Sequence, residues 1–174
     1  MAATPFDGTQ FREITMSDNK IVSIPSAPVS GSRFAAVPHE DHAEIMGIAA
    51  AYGRFYDDDR IDDFLDLLTD DAVFHANMPG ALPDEVQGRE ALKGFFGGAR
   101  EICNTTNVQP RHCTTNVIIA NASTNSAEVT VTMAYAEATD GGALEFKMIG
   151  QYDFHLVKQS GRWSISRWSM RYDK

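Results

Sequence analysis

The hydrophobic period of the sequence changes near Pro110, and this change constrains the fold more than any other feature. Before Pro110, apolar residues recur at three- and four-residue steps, which is typical of amphipathic helices. After it, apolar and polar residues alternate, which predicts strands near 111–119, 127–138, 144–158 and 162–172. Short connections rich in Asn, Ser and Gly favour antiparallel pairing of consecutive strands. The sequence therefore predicts an α+β protein in which helices cover one face of a curved antiparallel sheet.

Three helices are predicted ahead of the main run of strands. The first begins at His39 and buries a face that recurs at helical spacing: Ile45, Ile48, Tyr52 and Phe55. The acidic run at 56–59 ends it, and a second helix is predicted over 61–68, ending at the turn Asp70-Asp71. The segment AVFHANM is then a predicted strand, and PGALPDEVQ is a predicted loop. The third predicted helix is GREALKGFFGGAR.

The chain length is that of one domain with its own hydrophobic core, at 174 residues. Residues 1–38 contain four of the seven prolines and no sustained hydrophobic period, so they are predicted to form an N-terminal extension or arm. Residues 39–174 are predicted to form the domain.

The charge of the chain excludes several classes of partner. A net charge of −9 disfavours nucleic acid and anionic membranes, since both are bound through clustered Lys and Arg. No apolar run spans a bilayer and the N-terminus lacks a secretory pattern, so a cytoplasmic location is expected, with Cys103 and Cys113 reduced. His39 and His42 lack a third ligand at suitable spacing, and the sequence contains no glycine-rich phosphate loop. No metal and no cofactor are predicted.

Two residues are candidates for acid–base chemistry. Alternation places His112, Thr114, Asn116 and Ile118 on one strand face, so an imidazole and a carboxamide would face the same space. Such a histidine is either a core residue bonded to a backbone carbonyl or a general acid–base group near neutral pH. Asp57 is either a solvated turn residue or an inward carboxylate that accepts a hydrogen bond from the imidazole and fixes its tautomer.

Further residues are candidates for contacting a ligand. Tyr52, on the apolar helix face, is either a core tyrosine or a donor to a developing oxyanion. Tyr135 shares a strand face with Glu137 and is either an ordinary strand aromatic or a second donor. Arg171 can clamp an anionic group or form a surface salt bridge. The other residues predicted to bind substrate are Asn116, His75, Phe55, Met133, Met148 and Tyr152.

Four segments together carry a resemblance to a known family: AYGRFYDDDRIDDFLDLLTDDAVFH, GREALKGFF, PRHCTTNVII and GQYDFHLVKQSGRWSISRW. From about His42 to Tyr172, the chain resembles the nuclear transport factor 2-like superfamily, in its SnoaL-like and scytalone dehydratase-like branch. The resemblance implies a cone-shaped arrangement of sheet and helices that encloses one deep, mostly apolar pocket.

Within that branch, the chain is similar to cofactor-independent dehydratases and related lyases, which share a Tyr, an Asp five residues later, and a His at the start of the first long strand. Tyr52, Asp57 and His112 match this pattern. The resemblance implies that His112 is the acid–base residue, that Asp57 orients it, and that Tyr52 assists as a hydrogen-bond donor. Tyr135 is a second candidate for that donor, from its place on the strand face. The implied substrate is a hydroxylated aromatic or polycyclic small molecule.

Several alternatives remain open at the level of sequence. A second catalytic histidine of scytalone dehydratase has no clear match, so the same pocket fits an isomerase, a polyketide cyclase or a formaldehyde-releasing carbon–carbon lyase. A ligand-binding domain or an accessory subunit, like the small subunit of ring-hydroxylating oxygenases, is the non-enzymatic alternative. The resemblance also implies a homo-oligomer, either a dimer or a trimer.

Overall fold

The computed structural model describes residues 37–76, 85–139 and 142–173. The predicted arm therefore lies almost entirely outside the described residues, as do Asn77 and Met78 of the first predicted strand. The helices and strands follow in this order: α1 (His39–Asp57), α2 (Ile61–Leu65), β1 (Leu68–Ala76), β2 (Glu85–Gln87), α3 (Arg89–Thr105), β3 (Val108–Ala122), β4 (Ser126–Thr139), β5 (Leu144–Gln159) and β6 (Arg162–Tyr172).

The six strands form one curved sheet in the order β2-β1-β6-β5-β4-β3, which does not close into a barrel. Strands β3 to β6 form an antiparallel meander, as their short polar connections predict. Strand β1 pairs with β6 in parallel, and β2 pairs with β1 in antiparallel orientation. The predicted α+β architecture is confirmed.

The region between α2 and β1 differs from the sequence prediction. Helix α2 ends at Leu65, and the exposed residues Asp70 and Asp71 belong to strand β1 instead of a turn. Leu68 pairs with Ile165 of β6, whose backbone N–H donates to the Leu67 carbonyl at 2.8 Å. The turn prediction was wrong because pairing with a distant strand satisfies backbone groups that local propensity assigns to a turn.

Strand β3 contains a bulge that reverses the side-chain alternation on which the sequence analysis relied. Asn116 has a φ of 51° in the left-handed region, and the pairing with β4 shifts between Thr115 and Ile118. A bulge inserts one extra residue, so the inward face changes from even to odd positions. Ile119 is accordingly buried, whereas Ile118 is 44% exposed. The prediction that Asn116 and Ile118 share the face of His112 is wrong.

The core lies between the helices and one face of the sheet and is rich in aromatic residues. Trp168 of β6 is fully buried and packs against Tyr52, Phe74 and Phe96, with ring centroids 5.0 to 6.0 Å apart. Aromatic pairs of this kind contribute about 0.5–1.5 kcal/mol beyond their area burial. This packing fixes α1 and α3 over the sheet and so positions the side chains described below.

In the parts of the chain that the structure describes, no helix is both long enough and apolar enough to cross a membrane.

Candidate active site

A cavity of about 230 Å³ lies between helices α1 and α3 and the inner face of the sheet. Its walls are mostly aromatic or methionine side chains, with a few polar groups on one side. The lining residues are Tyr52, Gly53, Tyr56, Phe74, Phe95, Phe96, Ala99, His112, Met133, Tyr135, Met148, Tyr152 and Met170. Apolar walls with a small number of polar groups are typical of small-molecule sites.

Asp57 and His112 form a hydrogen-bonded pair at the wall of this cavity. Asp57 is the last residue of α1 and is only 3% exposed. Its Oδ1 lies 2.6 Å from His112 Nδ1, and its Oδ2 accepts the backbone N–H of His112 at 2.7 Å. Gln109 Nε2 donates to the Asp57 carbonyl at 2.8 Å. One carboxylate therefore fixes both the ring and the backbone of the histidine.

The environment of the His112 ring determines which nitrogen is available to a ligand. Tyr56 packs edge-on against the ring at 5.4 Å, and Tyr135, its partner on β4, lies at 4.8 Å. Because an ionised carboxylate only accepts hydrogen bonds, the neutral imidazole carries its proton on Nδ1. The Nε2 lone pair is therefore the basic position that remains for chemistry in the cavity.

Gly53 provides the space that His112 occupies. A Cβ atom at position 53 would lie 2.7 Å from the Cβ of His112, closer than real Cβ atoms approach. A glycine within a helix costs stability relative to alanine. At this position the missing side chain allows α1 and β3 to approach closely, beside the Asp57–His112 pair.

Tyr52 lines the cavity, and its hydroxyl oxygen is hydrogen-bonded to the core. Trp168 Nε1 donates to the Tyr52 oxygen at 2.7 Å. Burial raises the pKa of Tyr52 well above its ordinary value. The Tyr152 ring lies 5.1 Å away, and burial raises its pKa as well. Both phenols are therefore uncharged O–H groups near neutral pH.

The hydrogen bond between Tyr52 and Trp168 leads to a stability prediction. Tyr52→Phe is expected to lower the free energy of unfolding by about 1–3 kcal/mol, because a fully buried indole N–H loses its acceptor. Urea unfolding followed by tryptophan fluorescence measures the change. Tyr56→Phe is the matched control, since the Tyr56 hydroxyl makes no hydrogen bond within the described part of the chain. Equal effects of the two substitutions would contradict the prediction.

The structure brings seven of the predicted site residues together. Asp57 lies behind His112, and the other six line the cavity: Tyr52, His112, Met133, Tyr135, Met148 and Tyr152. They come from α1 and from the consecutive strands β3, β4 and β5, and folding brings α1 against β3 although Asp57 and His112 are 55 residues apart.

Four predicted substrate-binding residues do not line the cavity. Phe55 lies on another side of α1, under the Arg60 guanidinium at 4.4 Å. His75 is on the opposite face of β1 from the inward Phe74, with its Nδ1 3.5 Å from Glu85. The bulge in β3 turns Asn116 to the exposed surface.

Arg171, the fourth of these residues, also faces outward. Its Nε donates to Asp153 at 2.9 Å, and its Nη2 donates to Gln151 at the same distance. Of the two alternatives for Arg171, the surface salt bridge is therefore the arrangement present, and Arg171 does not line the cavity.

Seven residues that line the cavity were not predicted from the sequence. Tyr56 is the most informative, because it follows Tyr52 at the i+4 spacing that places two residues on one helix face. Phe55, three residues after Tyr52, was predicted to bind substrate instead. The remaining residues are Gly53, Phe74, Phe95, Phe96, Ala99 and Met170.

Charged side chains are scarce at this site. Within the described residues, no Lys or Arg lines the cavity. The same part of the chain contains no group of three or more His, Cys, Asp or Glu side chains arranged to hold a metal ion. The polar groups available for chemistry are therefore the imidazole, the carboxylate behind it and the phenols.

The fold and the site together define a class: an α+β protein whose helices and curved sheet enclose an apolar cavity with a carboxylate–imidazole pair at its wall. The chain belongs to the family of the SnoaL-like domain, whose family model matches residues 38–169. No match to this chain was found among curated protein sequences.

Solved structures share this fold at low sequence identity. A candidate scytalone dehydratase from Novosphingobium aromaticivorans is 20% identical with a TM-score of 0.64, over 78% of this chain and 85% of that one. The beta subunit of a candidate aromatic-ring-hydroxylating dioxygenase from the same organism is 18% identical with a TM-score of 0.64, over 78% and 90%. A Mycobacterium tuberculosis protein of unknown function is 22% identical with a TM-score of 0.65, over 80% and 79%.

Proposed function

We propose that the protein is a cofactor-independent lyase, most simply a dehydratase, that acts on a neutral hydroxylated aromatic or polycyclic compound. The observation that carries the proposal is the buried Asp57–His112 pair facing a cavity with aromatic walls. The absence of Lys and Arg among the described lining residues favours an uncharged substrate.

The geometry supports a β-elimination with one acid–base residue. His112 Nε2 takes a proton from the carbon next to a substrate carbonyl, and Asp57 stabilises the resulting imidazolium. The phenols of Tyr52 and Tyr152 act as neutral donors toward the enolate oxygen. The imidazolium then gives its proton to the leaving hydroxyl. A C–H and a C–O bond break, a C=C bond forms, and water leaves, so no oxidant or reductant is needed.

Other outcomes of the same proton transfer follow if the intermediate has no leaving hydroxyl. Return of the proton to another carbon gives an isomerase, and ring closure gives a cyclase. Formaldehyde release starts differently: His112 Nε2 takes the O–H proton of a hydroxymethyl group, the adjacent C–C bond breaks to release formaldehyde, and the imidazolium protonates the carbanion that remains. For a hydroxylated ketone, dehydration follows directly from the enolate, because the imidazolium already carries the proton that the leaving hydroxyl takes.

A non-catalytic accessory subunit is a second candidate, and the shared fold with a dioxygenase beta subunit favours it. In that case the chain would associate with a larger catalytic chain.

We further propose a homo-oligomer, a dimer or a trimer, for the isolated chain. Light scattering of the purified protein distinguishes both states from a monomer.

A direct test uses a neutral bicyclic substrate without added cofactor. 3-Hydroxy-1-tetralone loses water to give 1-naphthol, and the product is fluorescent. The purified chain is expected to accelerate this conversion, and chelator-treated protein is expected to retain the activity. Recovered substrate should carry deuterium next to the carbonyl after incubation in D₂O. Absence of both turnover and exchange, over a panel of one- and two-ring hydroxy ketones, would count against the lyase proposal.

A further inference from the structure

The Tyr135 hydroxyl has a partner that limits what it offers to a ligand. Tyr135 Oη donates to Glu137 Oε1 at 2.6 Å, and the two residues are adjacent on the same face of β4. Burial raises the pKa of Tyr135, and the hydrogen bond and negative charge of Glu137 raise it further. The phenol therefore keeps its proton, and that single proton is directed away from any ligand.

We infer that Glu137 makes Tyr135 a hydrogen-bond acceptor in the cavity, so that the site selects ligands with a hydroxyl group at this position. A phenol has one proton and two lone pairs, so a phenol that donates to a carboxylate can only accept from a third group. A hydroxyl ligand supplies the missing donor, whereas an ether at the same position places two acceptors against each other. The inference rests on the cavity being the ligand site of the proposed function.

The position of the pair supports this role. Tyr135 lines the cavity, is paired with His112 of β3 on one side, and is paired with Met148 of β5 on the other. Glu137 is two residues further along β4 and is half-buried, opposite Pro110 and Glu145. The carboxylate therefore lies outside the set of lining residues and acts on a ligand through the tyrosine.

Lys147 balances the charge of Glu137 without replacing the tyrosine as its partner. Lys147 Nζ lies 3.7 Å from Glu137 Oε2 and 2.7 Å from Glu145 Oε2. The second oxygen of Glu137 therefore faces the ammonium, while the first accepts the phenol proton. Glu145 provides a matched control, because it contacts the same lysine and has no bond to Tyr135 within the described residues.

Two hydrogen-bond acceptors, the Tyr135 hydroxyl oxygen and His112 Nε2, belong to neighbouring rings at the cavity wall. His112 Nε2 carries a lone pair, and the His112 and Tyr135 rings have centroids 4.8 Å apart. A hydrogen bond that forms with one ligand and not with its analogue typically changes affinity by about threefold to tenfold. We expect a preference of this size for a hydroxyl over a methyl ether.

Calorimetric titration with 1-naphthol and with 1-methoxynaphthalene tests the inference, since the two probes differ only in the hydroxyl proton and a methyl group. Wild-type protein is expected to bind 1-naphthol about threefold to tenfold more tightly. Tyr135→Phe is expected to remove the preference. Glu137→Ala is expected to weaken or reverse it, because alanine has no acceptor and the released phenol proton can be donated to the ether. Glu145→Ala is expected to retain the wild-type ratio.

Two results would overturn the inference. One is equal affinity of the wild-type protein for the two probes, including no binding of either. The other is an unchanged ratio in Glu137→Ala while Tyr135→Phe removes the preference, which would assign the selectivity to the tyrosine alone. Loss of turnover in a His112 variant is independent of these outcomes, so failure of the inference is distinguishable from failure of the lyase proposal.

Discussion

Replacing His112 with Ala is expected to reduce kcat on a dehydration substrate by roughly 10²–10⁴-fold, because general acid–base catalysis contributes about that factor. Asp57→Asn is expected to cause a comparable loss. The NH2 group of the asparagine would face the Nδ1 proton of His112, which the carboxylate accepts at 2.6 Å. Because two donors cannot bond to each other, the imidazole would favour the tautomer with its proton on Nε2. Steady-state kinetics on 3-hydroxy-1-tetralone measure both effects.

Neighbouring residues of the same types serve as controls for these substitutions. Asp58 follows Asp57 directly but pairs with Arg54 at the surface, so Asp58→Asn should leave kcat unchanged. His155 is exposed and bonds to Ser166, so His155→Ala should be equally neutral. Wild-type turnover in both the His112 and Asp57 variants would refute the acid–base assignment. A folded but inactive His112 variant would support it.

Gly53→Ala is expected to lower the free energy of unfolding by about 1–3 kcal/mol and to reduce turnover as well. The new methyl group would lie 2.7 Å from the Cβ of His112, so the helix and the strand must separate. Because Asp57 contacts both the ring and the backbone of His112, any such displacement lengthens these hydrogen bonds. Urea unfolding and kcat together measure the two effects.

Gly47→Ala on the same helix separates this steric effect from helix propensity. A Cβ at position 47 has no neighbour within 4 Å, so alanine there is expected to stabilise the protein by about 0.5–1 kcal/mol. The two glycine-to-alanine substitutions should therefore act in opposite directions. A stabilised, fully active Gly53→Ala variant would show that the close approach of α1 and β3 is not required.

The candidate site was predicted from the family resemblance as well as from local spacing, and the errors have identifiable causes. Spacing places Tyr52 and Asp57 five residues apart at the end of a helix, and the resemblance implied that Asp57 meets His112. The error of one position between Phe55 and Tyr56 arose because both fit a helical apolar face. Only the packing of α1 against α3 and β3 shows that Tyr56 faces the cavity.

The sequence alone determined the α+β class and the antiparallel meander after Pro110, because these depend on residue type and on short-range periodicity. The candidate triad of Tyr52, Asp57 and His112 came from the resemblance to a known family. The tertiary structure decided which side chains face the cavity. The parallel pairing of β1 with β6 joins segments far apart in the chain, and the bulge at Asn116 is a register shift between β3 and β4. A shift of one residue in such a pairing moves every following side chain to the other face of the sheet, and local sequence patterns do not record that shift.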